Sequence, residues 1–210
     1  VANEILPQLR RSQIHLKYKK IGYSDEEILA LVKSDPDTLN VEEILYAAKL
    51  SPNLDEKLRI YMIAERNFPT DYRGSNNAGY VLMMMGKAAQ AKGQFEKALG
   101  IKNNPISSNN LGAIVRQEGN RSEAMELFKE GASAGAEVNY NMGLVNVQDG
   151  DYSSAITNFG SEKTFNVALA KMLNGDNAGA QSTLDASADK DSALGYYLAA
   201  IIAARNGDAA

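Results

Sequence analysis

Small and large apolar residues recur along the chain with a spacing that predicts paired helices. In each copy a small residue is followed by Gly after seven residues, by Ala after five more, and by a large apolar residue after another four. The copies are Gly79, Gly86, Ala91 and Phe95; Gly112, Gly119, Ala124 and Phe128; Gly143, Gly150, Ala155 and Phe159; and Ala168, Gly175, Ala180 and Leu184. Self-similarity of this kind indicates a repeat architecture.

The second Gly of each copy predicts the end of one helix, because Gly readily adopts the positive φ that terminates a helix. The next residue then begins an antiparallel partner helix. Asn120 with Glu123 forms a capping-box pattern. Asp151 and Asp176 are good N-caps, whereas Lys87 is a poor one. Where the helices cross, we expect the small residue to face the Ala, and the large apolar residue to fill the space between hairpins.

These features resemble the tetratricopeptide repeat (TPR), which pairs two helices in about 34 residues. The interval between equivalent positions is 33 residues from Gly79 to Gly112 and 31 residues from Gly112 to Gly143. It is only 25 residues from Gly143 to Ala168. Either the second helix of the third copy should therefore be brief, or its connection to the next helix should be tight. The resemblance implies an all-α fold, namely a right-handed α-α superhelix of helical hairpins.

A degenerate repeat precedes the four copies. Tyr61, Ala64 and Pro69 lie where the family has a large residue, Ala and a closing Pro. Helix starts are predicted at Asn40 and Asn53, each followed by Glu at the third position. We therefore predict a repeat domain over 38–210, with units at about 38–71, 72–104, 105–135, 136–160, 161–192 and 193–210, the last one truncated.

Residues 1–37 are predicted to form a separate N-terminal linker. Ile14, Leu16 and Tyr18 alternate with polar residues, which indicates an extended segment. A short helix capped by Ser24 should follow and end near Ser34, because an Asp-Pro step disfavours its continuation. The chain begins without Met, and its final predicted helix lacks a partner, so we expect a fragment of a longer protein or a protein processed at both ends.

A second resemblance concerns Gram-negative cell-envelope proteins that carry an outer-membrane-protein-A-like domain upstream of such repeats. The matching runs are EILPQLRRSQIHLKYKKIGYSDEEI (Glu4–Ile28), VEEILYAAKL (Val41–Leu50), TDYRGSNNAGYV (Thr70–Val81) and FGSEKTFNVALAKMLNGDNAGA (Phe159–Ala180). This resemblance implies an exported protein in the periplasm or at the outer membrane.

Composition excludes several other functions. The 22 Lys and Arg against 26 Asp and Glu give a net charge of −4, which argues against a nucleic-acid partner. No apolar run is long enough to span a bilayer. The chain has no Cys and one His, and the segments 86–93 and 185–192 lack the residues of a P-loop or an EF-hand. We expect neither catalysis nor a cofactor.

The first helices should line a concave groove, as in other repeat stacks. An Asn stands two residues before each small residue, at Asn77, Asn110, Asn141 and Asn166. An amide both donates and accepts, so this row is suited to hold an extended peptide backbone. Equally, the amides are suited to bond adjacent helices together. The other predicted groove residues are Arg73, Asn76, Tyr80, Asn109, Ala113, Arg116, Tyr140 and Leu144.

The leading hypothesis is a non-catalytic scaffold that binds a peptide or protein partner in this groove. Asn76 and Tyr80 replace the Lys and Asn of a chaperone-type carboxylate clamp, which argues against that specialised mode. Arg73 and Arg116 are either exposed or paired with an acidic group of the ligand. Two alternatives remain: a structural spacer or self-association module, and a glycan-binding module that uses Tyr80 and Tyr140.

Overall fold

The computed structural model describes residues 22–207, and this part of the chain forms twelve α-helices and no β-strand. The helices are α1 (Asp25–Ser34), α2 (Val41–Leu50), α3 (Leu54–Asn67), α4 (Tyr72–Met84), α5 (Ala88–Ile101), α6 (Pro105–Gln117), α7 (Arg121–Glu130), α8 (Ala136–Asp149), α9 (Tyr152–Phe159), α10 (Phe165–Leu173), α11 (Asn177–Asp185) and α12 (Ala193–Asn206). The all-α prediction is confirmed. The predicted extended segment at Ile14, Leu16 and Tyr18 lies outside the described residues.

The helices pack as consecutive antiparallel pairs that stack into a solenoid. The pairs are α2 with α3, α4 with α5, α6 with α7, α8 with α9, and α10 with α11. The first helices α4, α6 and α8 also contact one another in sequence, and α10 contacts α12. The buried core follows the stack, and one cluster extends from Leu82 in α4 to Val145 in α8. The predicted helical solenoid is confirmed.

Four glycine turns join the paired helices, as the repeat pattern predicts. Gly86, Gly119, Gly150 and Gly175 have φ of 73°, 91°, 81° and 90°. After each turn the next backbone N–H donates to a carbonyl five residues earlier, as from Lys87 to Leu82 at 2.9 Å. This bond satisfies a carbonyl that the end of the helix leaves free.

The helix starts use the side chains predicted from sequence. Ser24 with Glu27 and Asn40 with Glu43 form complete capping boxes. The side chains of Asn53, Asp151 and Asp176 each accept a backbone N–H of the first turn. Lys87 provides no such bond.

The capping box predicted at Asn120 is incomplete. The Asn120 side chain accepts the Glu123 N–H at 3.4 Å and donates to the Glu123 carboxylate at 2.5 Å. Its own backbone N–H donates to the Val115 carbonyl at 3.1 Å instead of to Glu123. The backbone N–H that the capping box requires is therefore already used by the hydrogen bond of the glycine turn.

Three glycines of the first helices contact the Phe of their own hairpins, a contact that the sequence-based expectation did not include. A Cβ added to Gly79 would lie 2.7 Å from the Phe95 ring, and the corresponding distances are 2.8 Å for Gly112 to Phe128 and 2.6 Å for Gly143 to Phe159. The three rings are at most 3% exposed. Gly leaves room for each ring within its hairpin, and Phe95 and Phe128 also belong to the buried cluster that continues into the neighbouring hairpins, as the sequence predicts.

The third hairpin is short, as the reduced repeat spacing predicts. Its second helix α9 has 8 residues, whereas its first helix α8 has 14. Gly160 ends α9 with a φ of 60°. The chain then enters α10 after a few residues, so the interval between equivalent positions shortens.

Candidate functional site

The predicted asparagine row lies along the first helices: Asn77 in α4, Asn110 in α6, Asn141 in α8 and Asn166 in α10, all half-buried. The last three each donate one amide N–H to the preceding first helix. The bonds join Asn110 Nδ2 to Asn76 Oδ1 (3.3 Å), Asn141 Nδ2 to Asn109 Oδ1 (2.9 Å), and Asn166 Nδ2 to the Tyr140 hydroxyl (2.9 Å). We call these six residues the inter-helix ladder.

Two of the three acceptors of the ladder, Asn76 and Asn109, are buried, which makes their hydrogen bonds important. Asn76 is 7% exposed and Asn109 is 8% exposed. The Asn76 carbonyl also accepts the Ser107 hydroxyl at 2.9 Å, whereas Asn141 is the one donor to the Asn109 carbonyl among residues 22–207. Because a buried carbonyl needs a donor, the ladder fixes the register between stacked first helices. Bonding between helices, one of the two roles expected for the row, is therefore present.

The ladder leaves part of each amide available. A carboxamide has two N–H donors and an acceptor oxygen. Asn110, Asn141 and Asn166 each use one donor in the ladder, and within the described part of the chain their oxygens accept no hydrogen bond. One donor and one acceptor per amide therefore remain for a further partner.

Arg73, the first of the two predicted groove arginines, is paired inside the protein. Its guanidinium lies 2.7 Å from the Asp71 carboxylate and 2.8 Å from that of Glu42. Hydrogen bonds to Asp71 and Glu42 raise the pKa of Arg73 above its ordinary value. The Arg73 bonds in turn lower the pKa of Asp71. Arg73 thus joins α2 to α4 and is already neutralised.

Arg116 in α6 has a different environment. Its side chain is half-buried, and its Nε atom is buried without a hydrogen-bond acceptor among the described residues. Burial lowers the pKa of Arg116, because desolvation disfavours the charged form. Unlike Arg73, it makes no ion pair within 4.0 Å in this region. Arg116 is therefore not neutralised by another residue of 22–207, in contrast to Arg73.

The apolar groove residues divide into exposed and packed side chains. Tyr80 is 55% exposed, and Ala113 is half-buried beyond it on α6. Tyr140 packs its ring on Phe159 with centroids 4.9 Å apart, and its hydroxyl lies 3.0 Å from Thr164 Oγ1. Leu144 packs against the same core cluster. Tyr80 is thus free to contact a ligand, whereas Tyr140 is held by its neighbours.

The groove also includes residues that the sequence reasoning missed. Met84, one turn beyond Tyr80, is 56% exposed. A cavity of about 340 Å³ beside Asn77 is lined by Glu42, Tyr46 and Tyr61, which extends the face to α2 and α3. Tyr46 and Tyr80 are 34 residues apart, one repeat length. Extending the register into the degenerate repeat would have identified Tyr46.

The described residues offer no arrangement suited to a resident metal ion. Across 22–207, no group of three or more His, Cys, Asp or Glu side chains could hold one. In the same region no helix is both long and apolar enough to cross a membrane. The face carries half-buried amides and the exposed side chains of Tyr80 and Met84.

Solved structures with the same architecture support this description of the fold. YrrB, described as a TPR protein with an unusual peptide-binding site, matches with a TM-score of 0.60 and 18% identity over 83% of this chain and 98% of its own. PilW, described as a widely conserved type IV pilus biogenesis factor, matches with a TM-score of 0.65 and 17% identity over 82% of this chain and 88% of its own. A TPR protein from Parabacteroides merdae matches with a TM-score of 0.67 and 15% identity over 88% of this chain and 79% of its own.

The other comparisons give no closer assignment. No family model matches the chain, and no curated protein matches it. At 15–18% identity the solved structures establish similarity of fold alone. Together with the stacked hairpins and their glycine turns, they show that the chain has the fold of tetratricopeptide repeat proteins.

Proposed function

We propose that this chain is a non-catalytic scaffold that binds an extended peptide or protein segment along α4, α6, α8 and α10. The observation that supports the proposal best is the row of Asn110, Asn141 and Asn166, each with a donor and an acceptor left over from the ladder. Packed helices lie about 8–10 Å apart, and three residues of an extended chain span about 10 Å. Successive amides are thus suited to bond every third residue of one peptide.

The ladder also reduces the cost of binding. Each amide is already oriented by its bond to the preceding helix, so little side-chain entropy is lost when a ligand arrives. Amides that bond a peptide backbone do not require a particular sequence, whereas Tyr80 and Met84 supply apolar contacts that favour some side chains over others. This combination provides affinity for extended segments with an apolar residue at one end of the groove.

We further propose that the protein acts in the cell envelope. The proposal rests on the resemblance of four segments to envelope proteins and on the similarity in fold to PilW, a type IV pilus biogenesis factor. Fractionation of cells that express this protein, followed by immunoblotting with an antibody to the chain, tests the location directly.

A peptide array followed by fluorescence anisotropy on the best binder tests the groove. Ala113→Trp places a bulky ring on the face, and Tyr80→Ala removes an exposed contact. We expect each to raise Kd about tenfold, a loss of about 1.4 kcal/mol. Tyr23→Ala is the matched control, because Tyr23 is similarly exposed (45%) and precedes α1. Binding that survives both groove changes would place the ligand elsewhere.

A rigid spacer is the second candidate function, and the ladder itself favours it. Bonds between buried amides stiffen the stack whether or not a ligand binds. The two functions differ in the array experiment, because a spacer captures no peptide. An array on which the folded chain binds nothing would therefore favour the spacer over the scaffold.

A further inference from the structure

A pocket opens at the N-terminal end of the groove face, between α2, α3 and α4. Its volume is about 340 Å³, and it is lined by Glu42, Leu45, Tyr46, Lys49, Tyr61 and Asn77. Counted from Glu42, the other three lining residues of α2 follow at positions three, four and seven, so all four share one side of the helix. Asn77 is the first member of the asparagine row. The pocket is therefore continuous with the face of the proposed peptide site.

The degenerate repeat forms this pocket because it departs from the pattern of the later repeats. Leu45 stands where the next repeat has Gly79, and Tyr61 stands in the place of Phe95. A Cβ at Gly79 would lie 2.7 Å from the Phe95 ring, so a leucine side chain at this position excludes an aromatic ring from the same space. Accordingly, Tyr61 is half-buried, whereas Phe95 is fully buried. The Tyr61 ring instead forms a wall of the pocket.

The inter-helix ladder does not continue to this end of the face. Glu42 stands where the next repeat has Asn76, and its carboxylate lies 2.8 Å from the Arg73 guanidinium. The helices α2 and α4 also approach each other less closely than α4 and α6 do. The Asn77 carbonyl accepts Asn76 Nδ2 at 3.1 Å, and the Asn77 amide donates to no other residue of 22–207. Both of its N–H donors therefore remain for a ligand at the edge of the pocket.

The charges around the pocket do not favour a charged occupant. The charged groups, with their partners included, are Glu42, Asp71, Asp25, Arg73 and Lys49. The arginine bonds the first two carboxylates, and the third raises the pKa of Tyr46 through its interaction with the hydroxyl. Three carboxylates and two cations nearly balance. The occupant is therefore selected by the walls, which are the rings of Tyr46 and Tyr61 and the side chain of Leu45.

Given the peptide-binding function proposed above, on which this inference rests, we propose that the pocket binds one large apolar side chain of the peptide, namely Leu, Met or Phe. The volume of about 340 Å³ is at the low end of the range for ligand sites, about 300–1,000 Å³, so the pocket accepts one side chain rather than a longer segment. Asn77 donates to the peptide carbonyl beside that side chain. Tyr46, 41% exposed, stands one repeat before Tyr80, so the apolar contacts continue along the face. The pocket thus fixes the register of the peptide in the groove.

Fluorescence anisotropy with variants of the best peptide from the array tests this inference. Each peptide residue in turn is replaced by Phe, Leu, Ala, Lys or Asp, and the fluorescein-labelled peptides are titrated with the whole chain. At one peptide position the wild type should bind Phe or Leu about tenfold more tightly than Ala, because the pocket buries the larger side chain. Tyr46→Ala should reduce this preference to about threefold or less and leave the Kd of the Ala peptide nearly unchanged. Tyr46→Phe retains the ring and should retain the preference.

Ala113→Trp and Tyr80→Ala separate this inference from the proposed function. Both should weaken the Phe and Ala peptides alike, because they change the face outside the pocket. If they weaken binding and Tyr46→Ala leaves the preference for Phe unchanged, the peptide site stands and the pocket assignment is overturned. A preference for Lys or Asp at the position that responds to Tyr46→Ala would overturn it too, as would loss of the preference in Tyr46→Phe. A chain that captures no peptide, or whose binding survives Ala113→Trp and Tyr80→Ala, would overturn the proposed function and the pocket together.

Discussion

Replacing Asn141 with Ala should destabilise the fold more than replacing Asn110, although the two residues are equivalent in the repeat. Asn141 is the one donor within the described residues to the buried Asn109 carbonyl, at 2.9 Å. Without it the carbonyl has no partner, and an unsatisfied buried acceptor costs about 1–3 kcal/mol. Asn110 makes a longer bond of 3.3 Å to Asn76, whose carbonyl retains the Ser107 hydroxyl at 2.9 Å. Its loss should cost about 0.5 kcal/mol.

Urea denaturation followed by circular dichroism measures this difference. With a slope of about 2–3 kcal/mol per molar urea, a difference of about 1 kcal/mol shifts the midpoint by about 0.3–0.5 M. The double variant Asn109→Ala/Asn141→Ala is the internal control. Once Asn109 has lost its amide there is no orphaned carbonyl, so Asn141→Ala should cost little more in that background.

Two results would refute this reasoning. In one, Asn110→Ala lowers the urea midpoint as much as Asn141→Ala does. In the other, Asn141→Ala costs the same whether residue 109 is Asn or Ala, which would mean that the loss comes from packing rather than from the Asn109 carbonyl. Either result would remove the ladder as the source of register between α6 and α8.

Two further predictions concern backbone conformation and pH. Gly119→Ala should destabilise the protein by about 1–2 kcal/mol, because Gly119 has a φ of 91°. Gly93→Ala, in open space within α5, should instead stabilise it by about 0.5–1 kcal/mol. The melting temperatures of the two variants should therefore shift in opposite directions from that of the wild type. Hydrogen bonds from Arg73 lower the pKa of Asp71 in the folded protein. The ionised Asp71 therefore contributes its full stabilisation above the ordinary carboxyl pKa of about 3.9, and this contribution is lost as pH falls through the lower pKa of the folded protein. When the pH is lowered from 6 through this range, the urea midpoint should therefore fall less for Asp71→Asn than for the wild type. An equal fall of the midpoint in the two proteins would contradict this account.

Local signals made the fold predictable from sequence. A glycine that ends a helix and a polar residue that caps the next act within a few residues of chain, so Gly150 and Asp151 specify their turn whatever surrounds it. The spacing alone also predicted that α9 or the connection after it is short. By contrast, the contact between Gly79 and Phe95 depends on how two helices cross, which the spacing of the residues does not specify.

The candidate site was harder to predict, because its hydrogen bonds join residues about 30 positions apart. The row of asparagines was visible in the sequence, but the same amide serves a neighbouring helix or a ligand according to the register of the stack. Nothing in the sequence distinguished Arg73, which Asp71 and Glu42 neutralise, from Arg116, which has no such partners among residues 22–207.

The ladder links stability and binding in one set of residues, and this limits how the face can be altered. An amide that bonds its neighbour presents its remaining donor and acceptor in a fixed direction, so the bond that sets the register also orients the groove. Replacing Asn141 therefore changes both properties, and reduced peptide capture by that variant does not by itself demonstrate a contact. Tyr80 and Ala113 stand outside the ladder's hydrogen bonds. Substitutions at these two positions separate recognition from folding, because they change the surface that a ligand meets and leave the bonds between helices intact.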